Sequence, residues 1–60
     1  MNSYISAQCK TMVQQVELFN QACKMAALKN DGTIDSDEQK VLKKIYKASD
    51  AFVRDLQKLI

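Results

Sequence analysis

The hydrophobic residues in the first half of the chain recur with heptad spacing. Between residues 5 and 26 they alternate between steps of four and three, which is typical of a helix with one apolar seam. The seam residues are Ile5, Cys9, Met12, Val16, Phe19, Cys23 and Ala26. The pattern predicts a helix over about residues 3–29, and Asn2 or Ser3 can cap its start.

The second half repeats this rhythm and predicts a second helix over about residues 35–60. Its seam is formed by Leu42, Ile45, Ser49, Phe52, Leu56 and Leu59. Tyr46, Val53 and Ile60 widen the stripe on one flank, and Val41 and Ala48 widen it on the other. With no proline and a single glycine, the composition also favours long helices over strands.

The two predicted helices are connected by a turn at residues 30–34. A short connection makes neighbouring helices antiparallel, so we expect an all-α, antiparallel two-helix hairpin that forms a single domain over residues 1–60. A fold at Asp31–Gly32 predicts these facing pairs: Cys23 with Leu42, Phe19 with Ile45, Val16 with Ser49, Met12 with Phe52, Cys9 with Leu56, and Ile5 with Leu59.

Two helices do not cover all of this apolar surface, and a 60-residue chain has a marginal core. The residues predicted to form a protein interface are Leu18, Ala22, Met25, Leu28, Tyr46, Val53 and Ile60. A second copy would cover them in a homodimeric four-helix bundle. A helix of another protein would serve equally, and the sequence does not choose between them. The alternative is scattered surface apolar residues.

The acidic stretch KNDGTIDSDEQ, residues 29–39, resembles part of an EF-hand. Gly32 would take the sixth loop position and Glu38 the twelfth, but Ala27 and Lys29 would take the first and third. Neither supplies a side-chain oxygen, so we expect no calcium site. The same stretch suits helix ends: Asn30, Asp31 and Gly32 at the first, and Asp35 with Glu38 as a capping box at the second.

Within that stretch, DSDEQ at residues 35–39 resembles the turn into the second helix of the RNA one modulator (Rop) family. The resemblance implies a helical hairpin that dimerises into a four-helix bundle and binds paired RNA stem-loops through its first helices. On this chain it would assign RNA binding to polar residues of the first helix, namely Lys10, Gln14, Glu17, Gln21 and Lys24.

The formal net charge is only +2, but basic residues are concentrated along the second helix. The possible polyanion contacts are Lys40, Lys43, Lys44, Lys47, Arg54 and Lys58. Clustered bases favour polyanions because binding releases counterions. A homodimeric regulator that binds RNA or DNA is therefore the alternative function. Two other interpretations stay open: a solvated face partly neutralised by Asp37, Asp50 and Asp55, or a contact for an acidic protein.

The sequence contains no histidine, no glycine-rich phosphate loop and no CxxC pair, so we expect no enzymatic activity, cofactor or metal. Cys9 and Cys23 lie too far apart on one helix to bridge each other. We expect them to be buried thiols, with an intermolecular disulfide as the alternative. No apolar stretch reaches membrane-spanning length, and the start lacks a signal-peptide pattern, so we expect a cytoplasmic protein without membrane contact. The leading hypothesis is a non-enzymatic protein–protein interaction module: a small helical adaptor, chaperone-like subunit or inhibitor.

Overall fold

The structure, a computed structural model, describes residues 2–29 and 31–60 and contains two helices that pack against each other. Helix α1 spans Ser3–Lys29 and helix α2 spans Ser36–Leu59. The first range agrees with the expected 3–29, and the second is one residue shorter at each end than the expected 35–60. Asn30, expected to help end α1, lies outside the described residues. The predicted all-α hairpin is confirmed.

The start of α1 is capped by Asn2, as the sequence allowed. The backbone N–H of Ile5 donates to Asn2 Oδ1 at 2.8 Å, and the N–H of Ser6 donates to the Asn2 carbonyl oxygen at 3.1 Å. The first N–H groups of a helix have no partner within the helix, so a side-chain oxygen at the cap supplies one.

The turn between the helices is closed by local hydrogen bonds. Gly32 has φ +78°, the left-handed conformation that glycine adopts without a Cβ penalty, and its N–H donates to the Leu28 carbonyl oxygen at 2.8 Å. Asp31 Oδ1 accepts from the Thr33 N–H at 3.0 Å and lies 3.1 Å from Thr33 Oγ1. Gly32 and Asp31 therefore end α1 and reverse the chain, as predicted.

A complete capping box begins α2 and confirms the predicted role of Asp35 and Glu38. The Glu38 N–H donates to Asp35 Oδ1 at 2.8 Å, and the Asp35 N–H donates to Glu38 Oε1 at 3.2 Å. Asp37 and Glu38 also place negative charge in the first turn, where the helix dipole favours it. The acids of the loop thus serve the helix boundary.

The contact between the helices differs from the predicted seam by a rotation of both helices. Cys9, Val16 and Cys23 are half-buried as expected, but their neighbours in the seam are Ser6, Val13, Asn20 and Ala27 rather than Ile5, Met12, Phe19 and Ala26. On α2, Tyr46 and Val53 are half-buried and belong to the seam together with Leu42, Ile45, Ser49 and Leu56. Phe52 and Leu59 remain exposed. The expected burial of Ile5, Met12, Phe19, Phe52 and Leu59 in the seam is therefore wrong, although Met12 and Phe52, a predicted facing pair, line one groove.

Burial in the hairpin is slight. Leu42, 8% exposed, is the one side chain classed as buried among the described residues. The radius of gyration is 14.2 Å, whereas a compact domain of 60 residues has one of about 10 Å. The Cα atoms span 46 × 17 × 7 Å, so the hairpin is a flat slab with two broad faces. A slab of this thickness has one line of interhelical contact and no enclosed core.

Two intrahelical ion pairs lie on the solvent side of α2. Arg54 Nη2 lies 3.1 Å from Asp50 Oδ2, and Lys58 Nζ lies 3.9 Å from Asp55 Oδ1. All four side chains are more than 60% exposed, so each pair contributes about 0.3–0.5 kcal/mol at most.

Neither helix is long and apolar enough to cross a bilayer, over the residues described.

The turn makes a direct prediction for Gly32. A Cβ added there would meet no atom within 4 Å, so Gly32→Ala tests backbone conformation alone. We expect this substitution to lower the free energy of unfolding by about 1–2 kcal/mol. Gly32→Asn is the matched control and should cost less, because asparagine tolerates the left-handed region. Urea unfolding followed by circular dichroism, at one fixed protein concentration, measures both; equal effects of the two variants would contradict this account of the turn.

Candidate functional site: the apolar face of the hairpin

One broad face of the slab consists of apolar side chains, and we call it the apolar face. It is defined by positions at heptad spacing on both helices: Ile5, Met12, Phe19 and Ala26 on α1, and Val41, Ala48, Phe52 and Leu59 on α2. All eight are exposed, including Phe19 at 54% and Phe52 at 46%. A rotation that removes two phenylalanines from the seam leaves them in water on this one side.

Two grooves run along the apolar face between the helices. The middle groove, of about 410 Å³, is lined by Met12, Gln15, Val16, Phe19, Ala48, Ser49 and Phe52. The turn-end groove, of about 460 Å³, is lined by Cys23, Ala26, Ala27, Asp37, Glu38, Val41, Leu42 and Ile45. The surface is therefore ridged by large side chains and indented where small ones lie, which is the form of a surface that packs against another helix.

The opposite broad face is polar, and we call it the polar face. Its grooves are lined by Glu17, Asn20, Lys24, Gln39, Lys43, Tyr46, Lys47, Ser49, Asp50 and Val53, together with Val16, Ile34 and Leu42 at the floor. The polar face thus carries more charged groove-lining side chains than the apolar face, although apolar atoms contribute to the grooves on both. Desolvation costs little on the apolar face and much on the polar one.

A polar contact within the seam fixes the rotation of the helices. Ser49 Oγ lies 3.0 Å from Asn20 Oδ1 and 2.8 Å from the Ile45 carbonyl oxygen. One hydroxyl proton serves one acceptor at a time. If it goes to Ile45, the amide group of Asn20 can donate to Ser49 Oγ, since the two amide ends are interchangeable by a flip. Ser49 therefore contacts Asn20 on α1 in a partly buried position. Asn20 lies one helical turn after Val16, the residue that the sequence predicted to face Ser49.

The structure does not gather the sequence-predicted interface residues on one surface. Leu18 and Met25, 63% and 67% exposed, lie with Ala22 on the side of α1 directed away from α2. Leu28 is half-buried beside Ala22 and Met25, whereas Tyr46 and Val53 line the polar face and Ile60 ends the chain beyond α2. No groove contains residues from both helices of this set.

The predicted polyanion contacts divide into two groups. Arg54 and Lys58 are engaged by Asp50 and Asp55. The other four are exposed within two turns of α2, and no ion pair within residues 2–29 and 31–60 includes them: Lys40, Lys43, Lys44 and Lys47. Lys43 also lines a groove of the polar face with Lys24 and Tyr46. An aromatic ring therefore lies among these lysines, which the sequence analysis did not anticipate.

The cysteines and the loop carry no assembled chemistry. Cys9 and Cys23 are free thiols and only half-buried, because α2 covers one side of α1 and the expected full burial is not reached. Across the two described stretches, no three His, Cys, Asp or Glu side chains come together in a way that could hold a metal ion. The oxygens of Asp35 and Glu38 are already accepting backbone hydrogen bonds.

Comparison of the chain with protein-family models, with curated proteins and with solved structures finds no match. The resemblance of residues 35–39 to the Rop family is confined to the capping sequence of α2.

The Asn20–Ser49 contact predicts measurable coupling. We expect Asn20→Ala and Ser49→Ala each to lower the free energy of unfolding by about 0.5–1.5 kcal/mol, the usual net value of a protein hydrogen bond. The double variant should lose less than the sum of the two, by about 0.5 kcal/mol or more, because both changes remove the same interaction. Chemical unfolding of the four proteins at one concentration gives this double-mutant cycle, and strict additivity would contradict the contact.

Proposed function

We propose that this chain is a non-enzymatic protein–protein interaction module that works by burying the apolar face. The observation that supports this proposal most strongly is the position of Phe19 and Phe52, about half exposed on the same side of the slab, whose other side carries more charged side chains. A large one-sided apolar surface with a polar surround is typical of a protein interface.

The accessible surface supports the proposal quantitatively. The chain exposes 4931 Å², while a compact monomer of its mass exposes about 4,000 Å². The excess of about 1,000 Å² is slightly more than the roughly 800 Å² that each partner contributes to a stable interface of standard size. Association through one broad face would therefore bring the exposed surface of this chain to the value normal for its size.

The occupant that we propose for the apolar face is a second copy of the chain, so that two hairpins form a four-helix bundle. A twofold interface must be self-complementary, and two copies of one ridged and grooved apolar face meet that condition. In a four-helix bundle, helices surround the apolar side chains on several sides and bury them in one core, which the two-helix hairpin does not do. A helix of another protein is the competing occupant, and the mass of the purified protein separates the two.

Neighbouring residues on α1 provide the test of which surface associates. We expect Phe19→Lys to weaken self-association at least about 100-fold, since each copy loses about 1.5–3 kcal/mol of aromatic burial and each 1.4 kcal/mol is tenfold in Kd. Leu18→Lys is the matched control: it introduces the same charge one residue away, on the outer side of α1, and should leave Kd within about threefold. Sedimentation equilibrium measures both.

Retention of α-helical circular dichroism by both variants shows that the hairpin persists. If Leu18→Lys dissociates the protein and Phe19→Lys does not, the interface lies on the outer stripe of α1 and the apolar face is the wrong surface. A wild-type protein that stays monomeric up to high concentration would contradict self-association altogether.

A second candidate function, binding of RNA or DNA by the homodimer, is favoured by the arrangement around Tyr46. Lys24 from α1 and Lys43 from α2 line one groove with this half-buried ring, and Lys47 lies in the adjoining groove. Lysines from two helices attract the phosphates of a nucleic acid, and the aromatic ring beside them offers a surface on which a nucleobase can stack. In a bundle that is closed by the apolar faces, this polar face would stay accessible on each copy.

Salt dependence tests this second candidate. We expect a labelled stem-loop RNA to bind with an affinity that falls as salt rises, and the double variant Lys24→Gln, Lys43→Gln to reduce the slope of log K against log salt by about 1 to 2. Lys58→Gln is the control, because Lys58 is paired with Asp55. Fluorescence anisotropy with stem-loop RNA and duplex DNA measures the slopes, and absence of binding at low salt would eliminate this function.

A further inference from the structure

We infer that the two copies dock with their turns at opposite ends of the bundle, so that α1 packs on α1 and α2 on α2 of the other copy. This inference rests on the proposed self-association and specifies its geometry. A twofold axis in the interface allows two arrangements: turns at opposite ends, or turns at the same end with α1 of each copy on α2 of the other. Three features of the apolar face distinguish them.

The first feature is a taper in the size of the side chains. The end of the hairpin that carries the chain termini, which we call the open end, presents large side chains on the apolar face: Ile5, Met12, Phe52 and Leu59. The turn end presents smaller ones, Ala26 and Val41, beside a groove of about 460 Å³ that the seam residues Cys23, Ala27, Leu42 and Ile45 also line. Two tapered faces fill the space between them evenly only when the thick end of one meets the thin end of the other.

The second feature is the placement of the apolar positions along each helix. On α2, Val41 and Leu59 lie nine residues to either side of Asp50, and Ala48 and Phe52 lie two residues to either side. On α1, Ile5 and Ala26, like Met12 and Phe19, are symmetric about the midpoint between Gln15 and Val16. Val16 and Ser49 line the same grooves, so both midpoints lie at one level of the hairpin.

A twofold axis through these midpoints, perpendicular to the helices, pairs large with small except near the centre of α1, where it places Met12 on Phe19. Ile5 of one copy falls on Ala26 of the other, and Phe52 falls on Ala48. Leu59 falls on Val41 at the rim of the turn-end groove. The open end of each copy thereby supplies the side chains that occupy the turn-end groove of its partner. With turns at the same end, Met12 would meet Phe52 and Ala26 would meet Val41, which crowds one end and leaves the other unfilled.

The third feature is charge at the rim of α2. Lys44 lies four residues before Ala48, and Asp55, which also pairs with Lys58, lies three residues after Phe52; the two are nearly symmetric about Asp50, six and five residues away. Docking with turns at opposite ends brings Lys44 of each copy near Asp55 of the other, so two opposite-charge pairs form by symmetry. Such pairs at a rim fix orientation and partner choice more than affinity.

A distance between the two turns tests the docking direction. A spin label at Thr33→Cys, in a protein whose native thiols are replaced by Cys9→Ser and Cys23→Ala, reports the separation by pulsed electron paramagnetic resonance. Turns at opposite ends should give a distance close to the 46 Å length of the hairpin. A distance of about 20 Å, roughly two interhelical spacings, would overturn the inference and leave the dimer intact. A monomer by sedimentation would overturn both this inference and the proposed self-association.

A repacking experiment without labels gives an independent test, should the thiol replacements disturb the fold. Ala26→Leu fills the turn-end groove and should weaken the dimer at least tenfold, while adding Ile5→Ala, which removes the opposing side chain, should restore most of the affinity. Adding Val41→Ala instead is the comparison: it makes room in the same groove within one hairpin and should restore less affinity than Ile5→Ala. Rescue by Val41→Ala and not by Ile5→Ala, measured by sedimentation equilibrium, would place the turns at the same end and contradict the inference.

Discussion

A pair of helices has a single line of contact, and this constraint governs the rest of the molecule. Packing α1 on α2 brings one stripe of each helix out of water, yet both helices carry apolar arcs wider than one stripe. The consequence is visible at Leu42, the one buried side chain in the described part of the chain, and at the phenylalanines that stay half exposed. Hydrophobic burial is the dominant favourable term in folding, so a hairpin that buries this little has a marginal core, which the proposed association would enlarge.

The distribution of polar residues determines which apolar side chains remain exposed. Ser49 lies in the middle of the α2 stripe and is partly buried, so its hydroxyl needs a hydrogen-bond partner. The Ile45 carbonyl oxygen provides one within α2, and Asn20 adds a contact from α1 in the rotation that places Phe19 and Phe52 on the same broad face. A single polar contact in a seam can therefore select one rotation among several that bury similar apolar area, as polar seam residues do in coiled coils.

The caps and the turn depend on local chemistry and were predictable from the sequence. The rotation of the helices depends on which of two apolar flanks enters the contact, and it was not predictable. The roles of Asn2, Gly32, Asp35 and Glu38 follow from rules that act within three or four residues. The rotation of the helices does not, because the flank Tyr46–Val53 and the flank Val41–Ala48 are equally apolar. The sequence pattern predicted Phe19 in the seam since it considered the apolar repeat alone and gave Asn20 no role. Pairing Asn20 with Ser49 across the seam would have favoured the other rotation, although the Ser49 hydroxyl also has an acceptor in the Ile45 carbonyl of its own helix.

If folding and association are one process, the thermal midpoint of the wild-type protein must depend on its concentration. Circular dichroism melts between about 1 and 100 µM, combined with sedimentation equilibrium over the same range, measure this most directly. We predict a midpoint that rises with concentration and a mass near twice the 6.8 kDa of one chain. A constant midpoint together with the mass of a single chain at every concentration would show that the hairpin is stable with its apolar face in water, which would contradict the central claim.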